Sequence, residues 1–151
     1  MPQPALDAIL NTPKGIILRN RRERSVMNIQ SIDGDFSVCQ VADYSQVPLD
    51  APFCFTGRTD DEYSLVCLTQ DVPFNTVARE DGWKAFRIEG SLDFSLIGVL
   101  ARIAALLAEE QISIFALSTF NTDYILVKKE NEERALRKLA EQGYQIQSCG
   151  L

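Results

Sequence analysis

Histidine is absent from the 151 residues of this chain. The commonest general base is therefore missing, and Ser-His-Asp or Cys-His devices are excluded. Cysteine is scarce: Cys39, Cys54, Cys67 and Cys149, none of them in a C-x-x-C pair. There is no metal-binding motif, neither H-E-x-x-H nor an EF-hand loop nor paired cysteines, and no Walker A sequence or G-x-G-x-x-G. Three of the cysteines lie in apolar alternating runs and read as small buried hydrophobes of a reducing compartment. No apolar run approaches the ~20 residues of a membrane span. Pro2, Pro4, Asp7 and Pro13 interrupt any signal-type apolar core. The expected location is cytoplasmic. Neither a cofactor nor a metal is expected.

Charge is also one-sided. The net charge is −6, which argues against wholesale binding to nucleic acid or an anionic membrane. It is uneven: residues 1–26 carry a net +3, concentrated in Arg19-Asn20-Arg21-Arg22-Glu23-Arg24, and the remainder −9. These 26 residues show no sustained period and read as a solvated basic extension. The carboxylate pairs Glu109/Glu110 and Glu132/Glu133 read as solvated helix surface, and Lys128 and Lys129 as an exposed strand end.

A patterned texture begins at Met27. Phe36–Val41, 53–56 and Tyr63–Leu68 alternate like strands, the last two flanking a polar turn. Residues 71–82 are ambiguous, with a short helix after Pro73 closed by Gly82 as one option. Residues 83–89 alternate again. Leu96, Val99, Leu100, Ile103, Leu106 and Leu107 then recur at helical spacing through Glu110, with Ser91 or Asp93 as candidate caps and Gly98 one turn inside. A strand over 112–117, a turn over 118–123 and a strand over 124–127 follow. A helix over 130–141 ends at Gly143 in the C′ position, and a final strand covers 144–148. Residues 83–148 thus spell β-α-β-β-α-β, the ferredoxin-like order. Residues 36–82 resemble a reduced version of it, with clear strands and poor helices. The expected fold class is α+β, divided into a basic extension (1–26), a degenerate module (27–82) and a complete module (83–151).

Two features suit ligand binding. The Gly90 turn leads into a helix, whose N-terminus offers free N–H groups and the positive end of the dipole. Gly90 lets a ligand carboxylate approach the backbone. Gly98 costs a helix roughly 1 kcal/mol relative to alanine, and close approach of a backbone or a ligand would offset that. The turn Ser118-Thr119-Phe120-Asn121-Thr122-Asp123 supplies acceptors for a cation or amide. A small zwitterion needs both kinds of partner. The structural alternative is that the glycines only turn and pack the chain and that Asp123 caps a turn.

The run Gly90-Ser91-Leu92-Asp93-Phe94-Ser95-Leu96-Ile97-Gly98-Val99-Leu100 resembles an ACT domain, as does the stretch from Ile112 to Val127. The similarity is to small two-module ACT proteins of bacteria and fungi and to the cytosolic arginine sensors of animal growth signalling. Residues 53–56 and 61–66 resemble the degenerate module of that branch. The resemblance spans about residues 27–148. It implies a non-catalytic sensor that binds an amino acid at an ACT–ACT interface, and it leaves room for a regulated protein partner. The ligand-binding residues it implies are Gly90, Ser91, Asp93, Phe94 and Gly98 with Ser118, Thr119, Phe120, Asn121, Thr122 and Asp123. The strand Ser113-Ile114 forms the facing side. Since this chain has one such complete module, a homodimer would rebuild the interface. The sensors carry two adjacent glycines where this chain has Glu89-Gly90-Ser91, so ligand identity does not carry over. The alternative function is a protein–protein interaction scaffold without a small ligand.

Overall fold

The computed structural model describes residues 27–89 and 98–149. The basic extension 1–26 and the Gly90–Ile97 turn lie outside the described residues.

The described chain runs β1 (Asn28–Val41), β2 (Phe55–Arg58), β3 (Tyr63–Leu68), β4 (Thr76–Ile88), α1 (Val99–Glu109), β5 (Ile114–Ser118), β6 (Asp123–Lys128), α2 (Glu132–Glu141) and β7 (Gln145–Cys149). All seven strands form one sheet in the order β2-β3-β1-β4-β6-β5, with β7 also on β1. From β4 onward the order is the expected β-α-β-β-α-β of a ferredoxin-like fold, and the fold class is the expected α+β.

Two long strands connect the halves. The first part of β1 lies between β7, parallel to it from Asn28 to Ile32, and the end of β4, antiparallel to it from Ile29 to Ile32. Its second part, Phe36–Val41, lies between β3 and the start of β4. The register shifts between Ile32 and Phe36, where Gly34 takes φ 102°. A residue with a Cβ pays for that conformation, and glycine does not. This bulge lets β1 leave one neighbour for another.

The alternation of each strand assigns its faces. Ile32, Phe36, Val66, Trp83 and Leu126 close a core between the two halves of the curled sheet. On the outer face of the C-terminal half, Ile103 and Leu107 of α1 and Ala135 and Leu139 of α2 pack on Phe86 and Ile125. Burial of each large aliphatic side chain there contributes about 1.5–3 kcal/mol. The corresponding face of the N-terminal half carries Cys39, Val41, Leu65 and Cys67. Val47 and Tyr44 from the β1–β2 loop cover it in place of helices, and Tyr44 OH donates to the Ser64 carbonyl at 2.8 Å.

Three sequence expectations are corrected. Residues 71–82 hold no helix among the described elements: a 3-10 turn at Thr69–Asp71 precedes β4, and Gly82 lies within that strand. Helix α1 begins at Val99, so Gly98 precedes it, as an N-cap at φ 83° without a side-chain cap; the candidate caps Ser91 and Asp93 lie outside the described residues. Lys128 is half-buried, 4.4 Å from the Trp83 ring centroid and ion-paired with Glu80. The Glu109/Glu110 pair stays on the surface but clamps Lys138, at 3.0 and 3.7 Å.

Candidate ligand-binding site

The β5–β6 turn is held by its own polar groups. Ser118 and Asp123 are the last pair of the ladder, and Ser118 Oγ donates to Asp123 Oδ1 at 2.6 Å. Thr119 donates to the Thr122 carbonyl through both its N–H (2.9 Å) and its hydroxyl (3.0 Å). The Thr122 side chain turns inward, and its hydroxyl donates to the Ile88 carbonyl at 2.7 Å. The turn is thereby fixed against the end of β4. Glu89, the next residue, donates its N–H to the Asn28 carbonyl at 2.9 Å.

This junction borders a cleft of about 370 Å³ lined by Gln30, Arg87, Glu89, Asn121, Thr122 and Tyr124. Arg87 shares a strand face with Trp83 and Ala85, so the alternation of β4 directs it toward the inter-half side of the sheet. Its Nε donates to Gln30 Oε1 at 2.8 Å and its Nη1 to the Tyr124 hydroxyl at 3.1 Å. Its guanidinium carbon is 5.9 Å from the ring centroids of both Phe53 and Tyr124, within cation–π range.

Of the residues expected from sequence, Asn121 and Thr122 line this cleft. Asp123 alternates with Tyr124 and shares the helix-side face of β6 with Ile125 and Val127. Phe120 is 87% exposed at the tip of the turn. Gly98 is exposed at the start of α1. Ser113 and Ile114 are at the far end of β5, Ile114 being paired with Val127. Ser118 lies five residue steps along the strand from Ser113, a span of roughly 17 Å. Within one chain the Ser113 end and the Asp123 end cannot share a small ligand. Gly90, Ser91, Asp93 and Phe94 lie outside the described residues.

Sequence reading missed Gln30, Arg87 and Tyr124. The available signal was Arg87 itself, a charged residue at an inward position of an otherwise apolar alternation.

Nothing in the described geometry activates a nucleophile. Burial pushes the Cys67 thiol up to about 12, and burial also raises Cys39 and Cys54. No cluster of three or more metal-ligating side chains occurs among the described residues. No helix among them is long and apolar enough to cross a membrane.

Residues 78–141 match the family model of the ACT domain. The match runs from within β4 to the end of α2. No curated protein matches the chain. Among solved structures, a protein from Agobacterium tumefaciens is 26% identical, with a TM-score of 0.72 over 82% of this chain and 93% of that one. A Vibrio cholerae protein of unknown function, described as a possible transport protein, is 23% identical, with a TM-score of 0.63 over 80% and 92%. A putative C-terminal regulatory domain of aspartate kinase from Porphyromonas gingivalis is 15% identical, with a TM-score of 0.51 over 78% and 96%. The last two likenesses are of fold. The ACT match supports a regulatory, small-molecule-binding role.

Proposed function

We propose that this chain is a non-catalytic cytoplasmic sensor that binds an amino acid and passes the bound state to a protein partner. The observation that carries the reading is the ACT match over the βαββαβ half, at whose β4 end a ligand-sized cleft lies. In this reading the units 27–82 and 83–151 cooperate through the shared strands β1 and β4. Two chains pair so that the Gly90–Gly98 loop and the Ser118–Asp123 turn of one face Ser113 and Ile114 of the other. The ~17 Å between these two ends of β5 favours such an arrangement, because it requires the second end to come from another copy. Among the described residues strand β5 pairs with β6 alone, which leaves its other edge for a partner.

The test is a thermal-shift screen of the twenty amino acids on the full chain, with light scattering alongside. At 100 times the dissociation constant a ligand adds about 2.7 kcal/mol, or roughly 5–10 °C for a chain of this size. Asp123→Ala is expected to abolish the shift, and scattering to give twice the chain mass. A silent full panel refutes the sensor reading, and a strict monomer at micromolar concentration refutes the paired pocket.

A second reading, an interaction scaffold, is favoured by one surface. Phe74 is fully exposed and Val77 is 66% exposed, beside a cleft of about 290 Å³. The adjoining start of β4, before Trp83, has no ladder partner among the described residues on the side away from β1. If this reading holds, the amino-acid screen is silent and Val77→Glu releases a stoichiometric protein partner.

A further inference from the structure

We propose that the Arg87 cleft is a carboxylate-binding site complete within one chain, taking the head group of a zwitterionic amino acid between Arg87 and Glu89. The inference rests on the amino-acid reading above and assigns the head group to a different set of residues.

Arg87 is half-buried and belongs to no ion pair among the described residues. Its partners there are neutral: the Gln30 amide oxygen and the Tyr124 hydroxyl. A guanidinium has five N–H donors in a fixed fork. Two of them meet these partners, which orient the group, and Nη2 has no partner among the described residues. The fork is built for bidentate recognition of a planar carboxylate. Holding a partly desolvated cation without a counter-charge costs stability, and a bound anion removes that cost.

The opposite charge is also in place. Glu89 follows Arg87 by two residues, on the same side of the chain, and lines the same cleft. It is exposed and makes no ion pair with Arg87 or another described cation. The cleft thus presents one positive and one negative group, unpaired with each other. An α-amino acid presents the complementary pair. The Asn121 side chain and the Tyr124 hydroxyl add neutral polar groups, and about 370 Å³ is within the usual range for small-ligand sites. Strand alternation puts Asp123 on the other face of the sheet, so this site needs neither Asp123 nor a second copy, and a melting-temperature shift that survives Asp123→Ala decides for it against the paired pocket.

The alternative is that Arg87 is a packing residue whose stem and plane cover Phe53 and Tyr124. Calorimetry separates the two. Each amino acid that raises the melting temperature of the full chain is titrated beside its α-carboxamide, which keeps the amine and lacks the carboxylate. The proteins are wild type, Arg87→Lys, Arg87→Met and Glu89→Gln, with circular dichroism as the folding check. Wild type is expected to bind the carboxamide roughly 10- to 100-fold more weakly than the acid. Arg87→Met is expected to lose that discrimination. Arg87→Lys keeps the charge and the stem, folds, and binds the acid about tenfold more weakly because the fork is gone. Glu89→Gln weakens the acid and its carboxamide alike. If both Arg87 variants bind the acid as wild type does and still reject the carboxamide, the carboxylate is read elsewhere: this inference fails while the sensor reading stands. If no amino acid acts on wild type, both fail.

Discussion

Replacing Thr122 with valine removes one hydroxyl and keeps the shape of the side chain. The hydroxyl is buried, the residue being 8% exposed, and it donates to the Ile88 carbonyl at 2.7 Å. The valine methyl leaves that carbonyl facing an apolar group. An orphaned buried acceptor costs about 1–3 kcal/mol. Taking about 2 kcal/mol and the usual slope for a chain of this size, the melting temperature falls by roughly 4–8 °C. Thr122→Ser is the control: it keeps the hydroxyl and gives up one methyl, about 0.8 kcal/mol. Urea unfolding with linear extrapolation reads both values, and an unchanged m-value shows that the native state, not the unfolded chain, was altered. Because this bond ties the β5–β6 turn to the end of β4, the valine variant also loosens the wall of the Arg87 cleft. Wild-type stability for Thr122→Val, or serine as damaging as valine, refutes the role assigned to the hydroxyl.

Two further outcomes follow from the same geometry. At Gly98 the backbone has φ 83° and an added Cβ would meet nothing within 4 Å, so Gly98→Ala isolates a backbone cost of about 1–2 kcal/mol, measurable by urea unfolding, and an alanine variant of wild-type stability contradicts it. Cys67 has an ordinary thiol value of 9.0 and a buried value of about 12. A raised folded value means that its contribution is complete below pH 9 and is lost as pH rises toward 12, so stability declines on the alkaline side and Cys67→Ala makes that decline shallower in melting scans from pH 8 to 11.

The helices and most strands were legible because their apolar spacing switches cleanly between two periods. Leu106 and Leu107 or Ile125 and Val127 announce their faces locally. The start of β4 was not legible. Positions 77–81 are exposed, since β6 does not reach them, and an exposed run leaves no alternation to read. Gly98 was placed inside α1 because spacing cannot distinguish a glycine in the helix from one that precedes it with a positive φ. Within the site, the Ser118–Asp123 pair is local and the turn was found. Arg87 depends on Gln30, 57 residues away, and that pairing exists only once β1 lies beside β4.

The position of β1 sets a timetable for synthesis. Its first residues, Asn28–Ile32, open the first of the described strands, yet one of their two neighbours is Gln145–Cys149, the last of the described strands to be made. At ordinary elongation rates that edge waits roughly 6–20 s after it is synthesised, its N–H and C=O groups unpaired and open to other strands. Since β4 arrives earlier, the nascent sheet is closed on one side of β1 and open on the other until Cys149 has been made. A chain halted after α2 would carry almost the whole fold and still present a bare strand edge to its neighbours.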